Sequence, residues 1–320
     1  MTTPLRWGII STGGIAHTFA RDLAFIESGV AVAVGSRSIE SAHAFADEFD
    51  IAGRYDSYED VVADPEVEAI YVATPHPMHF DNTMLALEMG KPVLVEKAFT
   101  VSTDQASRLV EVATNKKVFM MEAMWTRFLP HVIAIRELIA DGSIGDIVSF
   151  EADNGKRFPY DPSSRFFDPA LGGGAMLDLG VYPISFASML LGPPTKVAAI
   201  VESAPTGVDM GESMVFGYAN GAQALLHATM AARTSTRASI SGTKARIEIE
   251  GDFYSPGAFS LITPDGAAQR FEFATQGRGL HYEAAEVARC VRSGLLESPL
   301  MPLHETVEIM RTMENVLALR

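Results

Sequence analysis

The sequence predicts an α/β plus α+β protein of two domains. The first is a doubly wound parallel sheet; the second is built on a mostly antiparallel open sheet. Three observations carry this expectation. Strand and helix patterns alternate strictly through the first 120 residues, with short connections between them. After about residue 123 the alternation stops, and beyond residue 146 strand-like runs follow one another with few helices between. Turns such as Ala219-Asn220-Gly221 and Pro264-Asp265-Gly266 join neighbouring runs as hairpins. The expected domains are residues 1–122 and 123–320.

The elements of the first domain follow from hydrophobic periodicity. Arg6–Ile10 reads as a short buried strand, and Ile15, Ala16, Phe19, Ala20 and Leu23 mark a helix with one apolar face that stops near Ser28-Gly29. Val30–Val34 is a second strand, and Ala42, Phe45, Ala46 and Phe49 stripe the next helix. Ala69–Ala73 is a third strand; a helix over Phe80–Met89 then stops at Gly90. The apolar strand Val93–Val95 ends on Glu96-Lys97, and Ser102 with Gln105 has capping-box spacing for a helix to about Asn115. Val118–Met121 closes the set.

In the second domain a helix covers Leu129–Ala140 and stops at Asp141-Gly142. The strand-like runs are Ile147–Glu151, Lys196–Glu202, Ser213–Tyr218, Ala222–Ala228, Ala238–Ile240, Ala245–Glu250 and Ala267–Phe273. Helices are expected near Met176–Leu191, Tyr282–Ser293 and Leu303–Leu317.

Composition narrows the function. A formal net charge of −15 repels nucleic acid and anionic membranes, so neither is expected as a partner. The single cysteine, Cys290, excludes an internal disulfide and lies beside a helical apolar stripe, as a buried inert thiol would. No signal peptide and no stretch able to span a membrane is read from the sequence, and the expected location is cytoplasmic. No metal site is expected.

The chemistry begins at Gly8-Ile-Ile-Ser11-Thr12-Gly13-Gly14-Ile15-Ala16, a dinucleotide fingerprint of the G-x-G-x-x-A kind with Ser11 at the first glycine position. Gly13 lets backbone approach a pyrophosphate, Ala16 permits close helix–strand packing, and the helix N-terminus points free N–H groups at the phosphates. At the end of the second strand, where an acidic residue would favour NAD, stands Ser36-Arg37-Ser38. Arg37 suits a 2′-phosphate, so NADP is expected, with NAD as the alternative. Lys97 at its strand end can hydrogen-bond a substrate oxygen and stabilise charge developing there. Trp125 and Arg127 suit the wall of a nicotinamide site. The Gly172-Gly-Gly run permits close backbone approach, and the following helix places Asp178 and Tyr182 on one face. A tyrosine near a lysine can exchange a proton with an alcohol or carbonyl.

Together, the fingerprint, Thr74-Pro75-His76-Pro77-Met78-His79, Glu96-Lys97 and the Gly172–Tyr182 run resemble the Gfo/Idh/MocA oxidoreductase family. Met121–Phe128, Gly172–Tyr182 and Ser241-Gly-Thr-Lys244 are similar to its branch of dihydrodiol and NADP-dependent xylose dehydrogenases. The resemblance implies a Rossmann domain, NADP as hydride carrier, and a homodimer formed through the open sheet. It assigns Lys97 to the active site, with Tyr182 as acid/base and Asp178 beside it. Trp125 and Arg127 fall at the cofactor and His79 near the nicotinamide end. Thr74, Pro75, His76 and Glu96 join Ser11, Thr12, Gly13, Gly14 and Ile15 on the cofactor side. Lys97, Trp125, Asp178 and Tyr182 face the substrate, a sugar, cyclic polyol or trans-dihydrodiol. Two departures stand out. Ala98 follows Lys97 where the family has proline, leaving that peptide open between cis and trans, and Tyr182 replaces the usual histidine. A non-catalytic dinucleotide-binding regulator and an NAD-linked inositol or sugar dehydrogenase are the alternative readings.

Overall fold

The computed structural model describes residues 3–320. Its two compact units are Met1–Trp125 with Gln276–Val307, and Thr126–Thr275 with Glu308–Arg320. The second part of the first unit lies outside the expected boundary at residue 122, because a late helix returns to the parallel sheet.

The first unit holds six strands: β1 (Leu5–Ile10), β2 (Gly29–Gly35), β3 (Gly53–Tyr55), β4 (Ala69–Val72), β5 (Val93–Glu96) and β6 (Met120–Ala123). They are parallel and ordered β3-β2-β1-β4-β5-β6, the doubly wound order whose reversal point lies between β1 and β4. The helices between them are α1 (Gly14–Leu23), α2 (Ile39–Phe49), α3 (Tyr58–Ala63), α4 (His79–Glu88) and α5 (Thr103–Lys116). β3 and α3 are additions to the expected elements; a three-residue strand and a six-residue helix are too short for periodicity to reveal. α3 nevertheless shapes the site strand. A Cβ on Gly8 would meet Val61 at 2.8 Å and Val67 at 2.9 Å, so β1 needs glycine where this segment closes over it.

Serines begin three of these helices. Ser38, Ser57 and Ser102 each accept the backbone N–H three residues on. At the expected capping box, Ser102 Oγ accepts from Gln105 N, while Gln105 Oε1 accepts from Val101 N, one residue before the cap.

The returning helix is α8 (Leu280–Arg292), packed beside α1. Asp22, 2% exposed, accepts the N–H groups of Arg278 and Leu280 at 2.8–3.1 Å and so holds the entry to α8. A carboxylate at a helix start meets both the free amides and the positive dipole end. Cys290 lies in this helix as the buried thiol expected; burial and the Glu286 carboxylate push its pKa up to about 12.

The second unit is an eight-stranded sheet. Its strands are β7 (Ile147–Gly155), β8 (Lys196–Ser203), β9 (Asp209–Gly217), β10 (Gln223–Thr229), β11 (Ala238–Gly242), β12 (Arg246–Ile249), β13 (Ala258–Ile262) and β14 (Ala268–Glu272), in the order β14-β13-β12-β11-β7-β10-β9-β8. Only β7 and β10 pair in parallel. β13, absent from the expected strands, pairs with both β12 and β14. Inward residues such as Phe150, Phe216, Leu226 and Ile247 are buried. α6 (Pro130–Ala140), α7 (Val181–Leu191) and the end of α9 (Leu303–Leu317) complete the unit. Asp153 ties the segment before β11 to β7, accepting Thr236 N, Arg237 N and Ser235 Oγ at 2.8–3.1 Å.

One expectation is corrected here. Pro169–Leu191 is long and apolar enough to cross a membrane, whereas no such stretch was expected. In the fold, 72% of its most apolar window is buried, as suits a core helix preceded by a glycine turn.

Replacing Asp22 with alanine removes the acceptor for two backbone amides, that of Leu280 buried. The expected result is a loss of about 2 kcal/mol of unfolding free energy, measured by urea denaturation.

Candidate active site

The turn after β1 is built for an anion. Ser11 has φ of 100°, a region that favours glycine, and its Oγ accepts Gly13 N at 3.2 Å. Gly13 is an extended cap to α1, and no side chain bonds the first amides of that helix. A Cβ on Gly14 would meet nothing within 4 Å, so open space lies before the helix end, and Ile15 is exposed. Uncapped amides at a helix N-terminus beside small residues fit a dinucleotide pyrophosphate. At the end of β2, Ser36 Oγ accepts Ser38 N at 3.4 Å and lies 3.5 Å from Thr12 Oγ1. Ser38 caps α2, so its hydroxyl is already engaged with Ser41 N and Glu40. Arg37 is exposed and lies near the Tyr58 phenol, whose pKa burial raises and the Arg37 charge pulls down; nothing in the sequence pattern names that partner.

The segment after β4 is anchored from within. Pro75 caps a single 3₁₀ turn over His76–Met78, and Thr74 Oγ1 accepts from Asn82 at 3.2 Å. The His79 ring is fully enclosed. Its Nε2 lies 2.7 Å from Thr74 O and its Nδ1 3.0 Å from Ala98 O. Burial, and secondly the charge of nearby His76, lowers the His79 pKa to about 4, against the opposite pull of the carbonyls. The neutral ring donates to one of those carbonyls. His79 thus ties the β4 turn to the segment after Lys97.

At the end of β5, Glu96 accepts from the Tyr71 hydroxyl at 2.5 Å and from Lys97 N at 3.1 Å. Burial raises the Glu96 pKa, while Tyr71 and Lys97 pull it down. Lys97 is partly exposed, and the Lys97–Ala98 peptide is cis. Behind this strand end lies Glu283 of α8, fully buried with no donor on either oxygen. Burial first, then the carboxylates of Glu96, Asp22 and Glu122, raises its pKa well above the usual range. Nothing in a helical stripe distinguishes Glu283, so the sequence left it unread. Trp125, also in this unit, is buried at the start of a 3₁₀ turn.

In the second unit Arg127 is 1% exposed, and its guanidinium donates to Ser185 Oγ at 3.1 Å and Ser185 O at 2.8 Å. That anchors α7. The glycine run is explained by the turn that folds over it. A Cβ on Gly173 would lie 2.7–2.9 Å from the carbonyls of Arg165, Phe166 and Asp168. Gly174, at φ of 129°, leaves no room for a side chain against Asp209. Asp209 in turn accepts Met176 N at 2.6 Å and starts a π turn over Met176–Gly180 that leads into α7. Asp178 therefore lies in a π turn, where a regular helix was expected. Asp178 and Tyr182 are both 8% exposed. Arg165 bonds both oxygens of Asp178, and Tyr182 stacks on Tyr254 with centroids 4.4 Å apart. Neither partner was legible in the sequence, since both come from loops.

The comparisons settle the family. Residues 5–124 match the oxidoreductase family with NAD-binding Rossmann fold, and residues 132–248 match the GFO/IDH/MocA C-terminal domain. The chain belongs to the Gfo/Idh/MocA family. It is an oxidoreductase whose first unit is a dinucleotide-binding Rossmann domain. It is 38% identical to D-xylose 1-dehydrogenase (NADP(+)) of Hypocrea jecorina, over 98% of this chain and 91% of that protein. It is 36% identical to trans-1,2-dihydrobenzene-1,2-diol dehydrogenase of Bos taurus, over 98% and 96%. Among solved structures, aldose-aldose oxidoreductase from Caulobacter crescentus shares the fold with a TM-score of 0.90 at 23% identity, covering 99% of this chain and 97% of that one. A 3-ketoreductase from Actinomadura kijaniata, in complex with NADP and TDP-benzene, gives a TM-score of 0.86 at 25% identity, over 98% and 97%.

Enclosure of His79 predicts a pH effect. Its pKa is lowered in the folded state, so the unfolded chain takes up the proton first as pH falls. Its contribution is complete above pH 6.5 and lost as pH approaches about 4. Across that window the wild type is expected to lose roughly 3 kcal/mol more unfolding free energy than His79→Gln, read from urea denaturation at a series of pH values.

Proposed function

We propose that this protein is an NADP-dependent dehydrogenase, or reductase in the reverse sense, acting on a secondary hydroxyl of a sugar, cyclic polyol or trans-dihydrodiol. The observation that carries the reading is similarity over nearly the whole chain to an NADP-dependent xylose dehydrogenase and to dihydrodiol dehydrogenases. The uncapped start of α1 and the exposed Arg37 beside it are consistent with a phosphorylated dinucleotide. When bound, the nicotinamide accepts a hydride from the carbinol carbon or returns one to the carbonyl. Tyr182 exchanges the hydroxyl proton at its phenol oxygen, and the Lys97 ammonium donates a hydrogen bond to substrate oxygen. Asp178 accepts a hydrogen bond from a substrate hydroxyl. Arg37 pairs with the 2′-phosphate, flanked by Ser36 and Ser38, while Ser11 to Ile15 receive the pyrophosphate.

The functional unit in this reading is a homodimer. The outward face of the second-unit sheet presents Ile200, Val215 and Leu225, which are 69%, 48% and 45% exposed. Adjacent strands bring them into one apolar patch, with Ser213, His227 and Glu151 around it. A second copy of the same face covers such a patch with matching chemistry. Ile200→Asp is expected to convert the dimer to monomer in sedimentation velocity; a wild type that sediments as a monomer overturns this.

The activity is tested by following NADPH absorbance against trans-dihydrodiols, aldoses, inositols and dicarbonyls in both directions, with NADH in parallel. Turnover is expected with at least one class and NADPH preferred. Lys97→Met and Tyr182→Phe should each lower kcat by about 10²–10⁴-fold with NADPH binding retained. Absence of turnover across the panel, or wild-type turnover in both variants, sinks the assignment.

A further inference from the structure

The loop between β7 and the π turn supplies a cation to the site that the reaction scheme above leaves unused. Arg165 Nη1 lies 3.2 Å from Asp178 Oδ2, and Nη2 lies 3.1 Å from Oδ1. The side chains are 47% and 8% exposed, so an arginine reaches in from solvent to a carboxylate that is almost enclosed. Exposed ion pairs usually contribute little, because two long side chains must be immobilised to form them. Here the immobilisation comes from elsewhere. The guanidinium carbon stands 4.1 Å from the centroid of Phe166, whose ring stacks on Phe158 at 4.0 Å. Both rings pack against a buried cluster around Phe167 and Leu179. The backbone is fastened as well, since Gly174 N donates to Phe166 O and Gly173 N to Asp168 O, both at 3.0 Å.

We propose that Arg165 is a positioning residue that fixes the Asp178 carboxylate in one orientation, so that a substrate hydroxyl meets a preset acceptor. The proposal rests on the reading of Asp178 as a substrate contact. A carboxylate on its own rotates freely about its last torsion, because that torsion is broad. The paired bonds remove this freedom, and a carboxylate oxygen has acceptor capacity for more than one donor. The pairing also selects ligand chemistry. A carboxylate already neutralised by a guanidinium favours a neutral hydroxyl donor and gives no advantage to a cationic amine. Lysine cannot take this place, since an ammonium makes neither the planar fork nor the flat contact with Phe166.

The test uses the full-length enzyme and whichever substrate the NADPH assay identifies. Arg165→Lys and Arg165→Ala are each expected to lower kcat/KM about 10²-fold, with NADPH affinity unchanged. Millimolar free guanidinium should restore Arg165→Ala by roughly tenfold, where the same concentration of sodium or methylammonium does not. A merely structural arginine would lower thermal stability without responding to guanidinium. Retention of kcat/KM within about twofold in Arg165→Lys overturns the proposal. So does equal response of Arg165→Ala to guanidinium and sodium. If the wild type turns over nothing, the proposed function fails by itself, and amide hydrogen exchange then decides on Arg165. Faster exchange at Gly173 and Gly174 in Arg165→Lys supports the anchoring, and unchanged exchange overturns it.

Discussion

A carboxylate taken out of water is costly unless donors meet it or, as at Glu283, burial raises its pKa, and carboxylates met by donors organise this chain at both of its sheets. Asp22 takes the amides that begin α8, Asp153 takes those that begin β11, and Asp209 takes the amide that begins the π turn. Glu96 takes the Tyr71 hydroxyl, and Asp178 takes the fork of Arg165. All five join segments more than ten residues apart, and four of them bring a loop or helix start to a defined place. Hydrophobic burial makes the two sheets compact; these acceptors decide where the connecting segments sit on them.

The same feature marks how far the sequence could be read. Strands with two buried faces, such as β1 and β5, announce themselves as apolar runs, and amphipathic helices such as α2 and α5 by their stripes. The fingerprint after β1 carries its own geometry in small residues. β3 and α3 each span fewer than two periods of their own pattern, and β13 directly follows Pro256-Gly257, a pair that punctuates chains. The return of α8 to the first unit leaves no local signal, because it depends on Asp22, far away in the chain.

The candidate site divides in the same way. Residues whose chemistry is unusual for their element stood out: Lys97 at a strand end, Asp178 and Tyr182 behind a glycine run, Arg37 where an acid is common. Residues that act on those groups did not. Tyr58, Tyr254, Arg165 and Glu283 are ordinary members of a helix start, two loops and a helix stripe, and only folding brings them to their partners. Arg127 and His79 illustrate the converse. Their types suit ligand contact, yet the fold spends their donors on Ser185 and on backbone carbonyls.

The bond between Asp22 and the entry to α8 spans up to 258 positions of sequence. During synthesis at about 5–20 residues per second, Asp22 leaves the ribosome on the order of tens of seconds before its partners. Over that interval α1 lacks its neighbour helix, and an apolar flank of the nascent Rossmann sheet stays uncovered. The first part of the protein to be made is thus among the last to be finished. That flank is completed only on the arrival of residues 278–280.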